Sequence, residues 1–196
     1  MSFGLNFASL ANSPLRLMFG IDGDAYDAAL QSLDAHWDNP KLLRPFIMTL
    51  VDFTVPAKSP RLWMFNLALQ IPLFYTPVAH GTNSGGAGAP ATKFSNKAGT
   101  HKSCIGAFAT NEKTHNSSLG HVKGHGLKVY GLDAGMNDNA RARGIVFHGA
   151  DYVKTTGAGR SHGCFATIPS INETLLPMIA GGTFVYAWGG ASPTVD

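Results

Sequence analysis

Glycine and proline interrupt this chain so often that only short regular elements fit between them. The 196 residues include 23 glycines and 11 prolines, and both residue types mark turns. Runs rich in β-branched and aromatic residues fill the intervals, a pattern typical of short strands rather than of a helical bundle. With 44% hydrophobic and 14% charged residues, we expect one β-rich domain with a sizeable core and no second domain.

The strand predictions follow these apolar runs. They cover residues 46–55, 61–68, 71–79, 103–110, 127–131, 144–148 and 183–189. The Ser59-Pro60-Arg61 turn suits a hairpin between the first two strands. Residues 80–96 carry several glycines and no periodicity, which predicts a loop of the kind that often bears a binding surface.

Two segments have helical periodicity. Apolar residues at spacings of three and four predict one amphipathic helix over residues 22–37, whose Leu/Trp face packs on the main domain and which ends before Pro40. A shorter helix is predicted at about residues 170–180. Its expected N-cap, site of shortening or kinking, and stop are Ser170, Pro177 and Gly181.

Charge and hydropathy exclude several classes of function. The formal net charge is only +3 and no basic run is present, so the sequence does not indicate nucleic-acid binding. No apolar run approaches the roughly 20 residues that a membrane span needs. The N-terminal residues lack the basic start and apolar centre of a secretion signal, so either the protein is cytoplasmic or a signal has been removed.

The two cysteines lie in different chemical settings. Cys104 falls in an apolar run and is expected to be a small buried residue. Cys164 follows a glycine-rich interval, downstream of His148 at the end of an apolar run. A thiol becomes a nucleophile when a base removes its proton, and His148 is the candidate base. Gly149 and Gly163 permit close backbone approach, and amides near Gly163 and Cys164 are candidates for an oxyanion hole.

Two alternatives compete with a thiol enzyme. The first is a zinc site, because the chain contains several histidines beside its cysteines. The possible ligands are His101, Cys104, His115, His121, His125, His148 and His162. Their spacings form no compact ligand pairs, and the glycines around His121 and His125 disfavour the helix that would align those two. The second alternative is a binding module without catalysis, which has no need for a reactive thiol.

The segment Arg160-Ser161-His162-Gly163-Cys164, downstream of His148-Gly149, resembles the signature of the L,D-transpeptidase (YkuD) superfamily. Further segments follow, in order, the layout of the murein L,D-transpeptidase catalytic-domain branch. They are VDFTVPAKSPRLWMFNL, VAHGTNSGG, FSN, IGAFAT, GLDAGMNDNARARGIVFHGADYV and GRSHGC. The similarity covers roughly residues 46–190, and the helix at 22–37 resembles the N-terminal lead-in of that branch.

The resemblance implies a mainly β fold, an L,D-transpeptidase-type β-sandwich with an N-terminal helix and a short helix after the active-site loop. Residues 1–45 are then a helical lead-in and residues 46–196 the catalytic domain. The implied catalytic group is Cys164 as nucleophile, His148 as base and Gly149 as the carbonyl that orients the imidazole, together with Ser161 and Gly163. Ser161 and His162 match the family's motif and are expected to support the cysteine loop. The implied substrate-binding residues are His80, Tyr152, Arg160 and His162. No metal or other cofactor is implied.

The implied reaction is acyl transfer on peptidoglycan stem peptides. The thiolate attacks the carbonyl of the L-centre of the third-position diamino acid, D-alanine leaves, and the thioester passes to an acceptor amine to form a 3→3 cross-link. Water as acceptor makes the enzyme an L,D-carboxypeptidase. Such a protein is expected to be periplasmic or secreted, and Cys104 is then expected to be too far from Cys164 to form a disulfide.

Three positions depart from the branch. The interval between His148 and Ser161 is several residues shorter, Phe165 stands where proline is common, and Ala166 stands where the wider superfamily often has asparagine. The shorter interval predicts a trimmed loop and an altered substrate preference.

Overall fold

The computed structural model describes residues 6–116 and 123–196. The helices are α1 (Phe7–Ala11), α2 (Leu15–Met18), α3 (Gly23–Ala35) and α4 (Pro169–Ile179). The longer strands are β1 (Arg44–Asp52), β2 (Leu62–Asn66), β3 (Ile71–Thr76), β6 (Gly106–Thr110), β8 (Lys123–Gly131), β9 (Val146–Gly149), β13 (Phe165–Thr167) and β14 (Thr183–Trp188). The two-residue strands are β4 (His80–Gly81), β5 (Lys93–Phe94), β7 (His115–Asn116), β10 (Val153–Lys154), β11 (Gly157–Ala158), β12 (Arg160–Ser161) and β15 (Thr194–Val195).

The main sheet joins most of these strands. Its order is β13-β9-β8-β6-β14-β1-β2-β3, with β7 added beside β8. The hairpin predicted around residues 59–61 is present, because β1 and β2 pair antiparallel on either side of it. The mainly β class is confirmed, as are the helices near the N-terminus and after the cysteine loop. The predicted loop at 80–96 also contains β4 and β5.

Helix α3 covers one face of the sheet, as its periodicity predicts. The Asp22 side chain accepts a hydrogen bond from the Ala25 amide and caps the N-terminus. Tyr26 and Leu33 are fully buried against strand residues such as Phe65. The helix ends at Ala35, because the backbone turns out of the helical conformation at the following residue. The predicted end at residue 37 therefore lay two residues too far along the chain, and the helix ends before Pro40 as predicted.

The other face of the sheet closes on itself. Phe53 follows β1, and Phe165 lies in β13, five positions away along the sheet order. A flat sheet would separate them by about 24 Å, at about 4.8 Å for each strand. The two rings are nevertheless stacked with their centroids 6.3 Å apart. The sheet is therefore strongly curved, and its two ends enclose a common apolar core.

Helix α4 packs beside β8 and β9, directly after the cysteine loop. Its N-cap is Ile168, with Pro169 in the first turn, so the predicted Ser170 cap was wrong. Proline suits the first turn because its missing amide has no partner there. Gly181 follows the last turn with a φ of +92°, in agreement with its predicted role as a stop.

None of the helices in the described ranges is both long enough and apolar enough to cross a membrane.

Candidate active site

Strand pairing brings the predicted nucleophile and base together. Strands β9 and β13 are parallel, and Ala166 is the register partner of His148. Cys164 directly precedes β13, two residues before Ala166, and the Val146 amide of β9 acts on its thiol. In extended chains such an offset separates the Cα atoms of Cys164 and His148 by roughly 8 Å, a distance that two side chains can bridge.

His148 is held as a neutral base. Its ring is buried, with 4% of the residue exposed. The Nδ1 atom lies 3.0 Å from the Gly149 carbonyl oxygen, which can only accept, so Nδ1 carries the proton and Nε2 has a free lone pair. Burial lowers the pKa of His148, and the Gly149 carbonyl opposes this shift. The imidazole is thus uncharged at neutral pH and able to accept a proton.

Cys164 is partly exposed and is protonated at rest. Its Sγ donates to the Gly144 carbonyl over 3.7 Å. Burial raises the pKa of the thiol, while the Val146 amide and the Arg143 guanidinium act in the opposite direction. A raised thiol pKa and a lowered imidazole pKa mean that both groups are neutral at rest.

Cys104 has a different environment. It is 1% exposed, as predicted, and burial raises the pKa of its thiol to about 11. Both cysteines are free in the structure.

Ser161 fixes the turn that presents Cys164. Its Oγ donates to the Cys164 carbonyl at 2.8 Å and accepts from the Gly163 amide at 3.0 Å. Because the Gly163 amide is occupied in this way, its expected place in an oxyanion hole conflicts with the structure. The Cys164 amide remains the candidate donor in this turn.

Gly163 is required by the shape of the turn. Its φ is +116°, and a Cβ atom would lie 2.7 Å from the Lys102 carbonyl oxygen. Only a residue without a side chain fits this conformation without strain.

Three of the predicted substrate-binding residues lie near Cys164, either in sequence or in space. Arg160 is exposed, with Nη1 3.4 Å from the Thr82 carbonyl oxygen. His162 is also exposed and stacks on His101, with ring centroids 4.2 Å apart. Tyr152 is half-buried, and burial together with the charge of a Cys164 thiolate raises its pKa to about 12. Its hydroxyl therefore stays protonated as a hydrogen-bond donor.

His80 does not belong to the open surface, although the sequence analysis grouped it with the substrate-binding residues. It is fully buried, and its Nδ1 accepts a hydrogen bond of 2.8 Å from Arg61. Burial and the neighbouring Arg61 lower the pKa of His80 to about 4, so it is neutral. Strand β4 pairs His80 with Arg160 in parallel register, so the backbone of His80 lies beside the strand that leads to Cys164.

Arg61, predicted at the end of a turn and the start of a strand, has a further role as a buried anchor. It is fully buried and donates to the carbonyls of Val78 and Val55 as well as to His80. Burial lowers its pKa to about 9. The sequence signal was an arginine at the head of the apolar segment LWMF, an unusual place for a charge.

The interval between His148 and Ser161 folds into a small hairpin. Strands β10 and β11 pair antiparallel, and the Ala158 amide donates to the Ala57 carbonyl at 2.7 Å. The Tyr152 carbonyl accepts from the Gly159 amide at 2.9 Å, which ties the base of the hairpin together. The hairpin flanks the site, where the sequence predicted a trimmed loop.

No group of three or more His, Cys, Asp or Glu side chains in the described ranges is arranged to hold a metal ion. His121, one of the ligands considered above, lies outside those ranges.

The comparisons with known proteins identify the family of the chain. A family model described as the L,D-transpeptidase catalytic domain matches residues 18–188. The chain belongs to this family. The match includes α3 and every residue of the candidate site. A comparison with curated proteins finds no match.

Solved structures share the fold of this L,D-transpeptidase domain. The helical cell shape determining protein Pgp2 from Campylobacter jejuni is 14% identical, with a TM-score of 0.52, over 86% of this chain and 57% of that one. Bdellovibrio bacteriovorus Bd1075 is 16% identical, with a TM-score of 0.49, over 76% of this chain and 50% of that one. An L,D-transpeptidase from Stackebrandtia nassauensis is 18% identical, with a TM-score of 0.45, over 94% of this chain and 78% of that one. The chain thus spans little more than half the length of the first two relatives.

Proposed function

We propose that this L,D-transpeptidase domain catalyses cysteine-dependent acyl transfer on peptidoglycan stem peptides. The donor is a stem whose third residue is a diamino acid followed by D-alanine, and the acceptor is the side-chain amine of another stem. The product is a 3→3 cross-link. Hydrolysis of the same thioester, an L,D-carboxypeptidase activity, is the alternative outcome.

One observation carries this proposal. The partly exposed Cys164 directly precedes β13, which pairs with the strand of the buried His148, and the Gly149 carbonyl binds Nδ1 of that histidine, which leaves Nε2 unprotonated. A nucleophile, a base and a group that orients the base are the parts that covalent acyl transfer requires. Membership of the family adds the substrate class.

The neutral resting pair sets the order of the steps. The Sγ proton moves to Nε2 of His148 as Sγ attacks the carbonyl carbon of the third residue, and a new C–S bond forms. The C–N bond to D-alanine then breaks, and the leaving amine takes the proton from His148. The acceptor amine next gives a proton to His148 and attacks the thioester, which breaks the C–S bond and returns the thiol.

The rim of the site suits an anionic stem peptide. Arg160 and His162 are exposed beside Cys164, and Tyr152 offers a protonated hydroxyl. A guanidinium matches the planar geometry of a carboxylate, so Arg160 is proposed to bind a stem carboxylate.

The proposed substrate also indicates the compartment in which the protein works. Peptidoglycan stems are cross-linked outside the cytoplasmic membrane, so we propose that the protein works in the periplasm or after secretion. We further propose that residues 46–196 carry the reaction, while residues 1–45 form the helical lead-in that supports the sheet through α3.

Mass spectrometry of purified disaccharide-tetrapeptide incubated with the protein tests this function. The wild type is expected to release D-alanine, and the ratio of dimer to tripeptide identifies the acceptor. Cys164→Ala is expected to abolish both products. Cys104→Ala is the matched control, because that thiol is buried and neutral, and it is expected to keep the activity.

Equal D-alanine release by the wild type and Cys164→Ala would refute the assignment of the nucleophile. An unchanged muropeptide with every variant would instead favour the non-catalytic binding module.

A further inference from the structure

Arg143 is a charged residue beside the nucleophile that no step above uses. It lies three residues before the start of β9, and its side chain is half-buried. Its guanidinium bridges two backbone carbonyls, with Nη1 donating to Ser95 and Nη2 donating to Lys102 at 2.6 Å. The backbone therefore fixes the charge in place.

The cysteine turn packs directly against this guanidinium. A Cβ atom on Gly163 would lie 3.5 Å from Nη2 of Arg143 and 2.7 Å from the Lys102 carbonyl that Arg143 binds. Gly163 immediately precedes Cys164, so the positive charge borders the turn that carries the thiol. In agreement with this geometry, Arg143 lowers the pKa of Cys164 against the effect of burial.

The charge of Arg143 is not neutralised by a fixed acid. The ion pairs found in the described ranges are Arg16–Asp27, His36–Asp133 and Lys102–Asp196. None includes Arg143, whose hydrogen bonds go to carbonyl groups. An unneutralised, partly buried charge acts on nearby groups more strongly than a solvated ion pair does.

Among the described residues near the Cys164 thiol, no other group provides a buried positive charge. Burial keeps His148 neutral, and Tyr152 and Cys104 hold their protons to a pKa of about 12 and about 11. The remaining cationic or titratable neighbours stand at the rim, where His101, Arg160 and His162 are exposed and Lys102 is paired with Asp196.

We propose that Arg143 is a positioning residue that stabilises the thiolate of Cys164 during proton transfer to His148. The proposal rests on the function proposed above, since it assigns the thiolate to Cys164. It explains how a thiol that burial keeps neutral at rest becomes ionised when His148 takes its proton, because the forming negative charge meets a positive charge already in position.

Thiol alkylation followed by peptide mass spectrometry tests the proposal without peptidoglycan. The rate of Cys164 modification by iodoacetamide is measured from neutral to alkaline pH for the wild type, Arg143→Gln and Arg143→Lys. In Arg143→Gln the midpoint is expected to rise by about one pKa unit, so that the rate below the midpoint falls about tenfold. Arg143→Lys keeps the charge and is expected to keep most of the effect.

Arg141→Gln is the matched control. It removes the same charge two residues away, but the Arg141 guanidinium lies over the Tyr130 ring, 4.7 Å from its centroid. The midpoint for Cys164 is expected to stay at the wild-type value. Equal midpoints for the wild type, Arg143→Gln and Arg141→Gln would overturn the proposal, even if Arg143→Gln lowered the melting temperature.

A second measurement needs no variant and so does not depend on the folding of Arg143→Gln. The wild type is alkylated with anionic iodoacetate and with neutral iodoacetamide, and the rate ratio is compared with that of free cysteine. A fixed positive charge is expected to raise the ratio at Cys164 severalfold, and added salt is expected to reduce it. A ratio equal to that of free cysteine would contradict the proposal. Since alkylation requires no muropeptide, failure of the proposed transpeptidation would leave this result readable.

Discussion

At the scale of single residues, burial acts on Cys164 and His148 in opposite directions. It raises the pKa of the thiol and lowers the pKa of the imidazole, so both shifts favour the uncharged forms. A neutral pair differs from a preformed thiolate–imidazolium pair, which an electropositive and better solvated site would favour. The resting protein is therefore expected to be less reactive towards small alkylating reagents than a preformed thiolate would be.

The activity is expected to fall at acid pH because of His148. The ordinary pKa of 6.5 is lowered by burial, and protonation of Nε2 below that lowered value removes the base. The kcat/KM for D-alanine release should thus stay constant as pH falls to 6.5 and decline only below it. His148→Gln should abolish the activity, while His125→Gln, at an exposed position, should leave the profile unchanged. A decline that begins above 6.5 would contradict this account.

Gly163→Ala is expected to disturb the nucleophile turn. The residue has a φ of +116°, and its new Cβ would meet the Lys102 carbonyl oxygen at 2.7 Å. Gly135→Ala is the matched control, because its φ is also positive, at +75°, but nothing lies within 4 Å. The control should cost about 1 kcal/mol of unfolding free energy, and Gly163→Ala about 2–4 kcal/mol. Urea unfolding and D-alanine release should separate the two, since only Gly163→Ala should lose activity.

At the scale of elements, two short paired strands support the cysteine loop. Strand β12 carries Ser161 and pairs with β4, and the imidazole of His80 in β4 is anchored to the buried Arg61. Arg61 also binds the carbonyl of Val78, just before β4. The position of the nucleophile therefore depends on an arginine that makes no contact with solvent.

Arg61→Ala is expected to destabilise the protein by roughly 2–4 kcal/mol, because two buried carbonyls and His80 lose their donor. Arg16→Ala provides the comparison, since Arg16 is partly exposed and only forms a 3.6 Å ion pair with Asp27. That surface pair should contribute about 0–1 kcal/mol. Chemical denaturation measures both variants, and equal losses would show that Arg61 is not a structural anchor.

At the scale of the whole molecule, the curvature of the sheet builds the site. Phe165 stacks on Phe147 and Phe53 and meets Phe108 edge to face. These rings come from β13, β9, β6 and the residue after β1, so they span most of the sheet order. Because Phe165 directly follows Cys164, the aromatic core that closes the sheet also fixes the nucleophile.

Phe165→Ala is expected to lower the free energy of unfolding by about 3–5 kcal/mol, as is usual for a large aromatic residue in a packed core. Phe46→Ala, at a side chain that is 37% exposed, should have a much smaller effect. Thermal unfolding measures the difference, and D-alanine release at a temperature where both variants are folded should fall only for Phe165→Ala. A loss no larger than that of Phe46→Ala would show that Phe165 does not hold the curved sheet together.

The sequence by itself determined the features that depend on neighbouring residues. Periodicity predicted α3, and apolar runs rich in β-branched and aromatic residues, bounded by turn residues, predicted the main strands. The succession from His148 to the Ser161–Cys164 box, through its resemblance to the family, predicted the reacting pair, which stays a prediction. The N-cap of α4 was missed because Pro169 fits the first turn, so the helix begins before the expected cap at Ser170.

Only the tertiary structure decided the surroundings of that pair. The fold, not the sequence spacing, bonds His80 to Arg61 and sets Arg143 beside the cysteine turn. The sequence shows only that a residue is an arginine or a histidine, whereas its pKa and its hydrogen-bond partners depend on burial. Burial in turn depends on the curved sheet, whose core packs side chains from strands that are far apart in the sheet order.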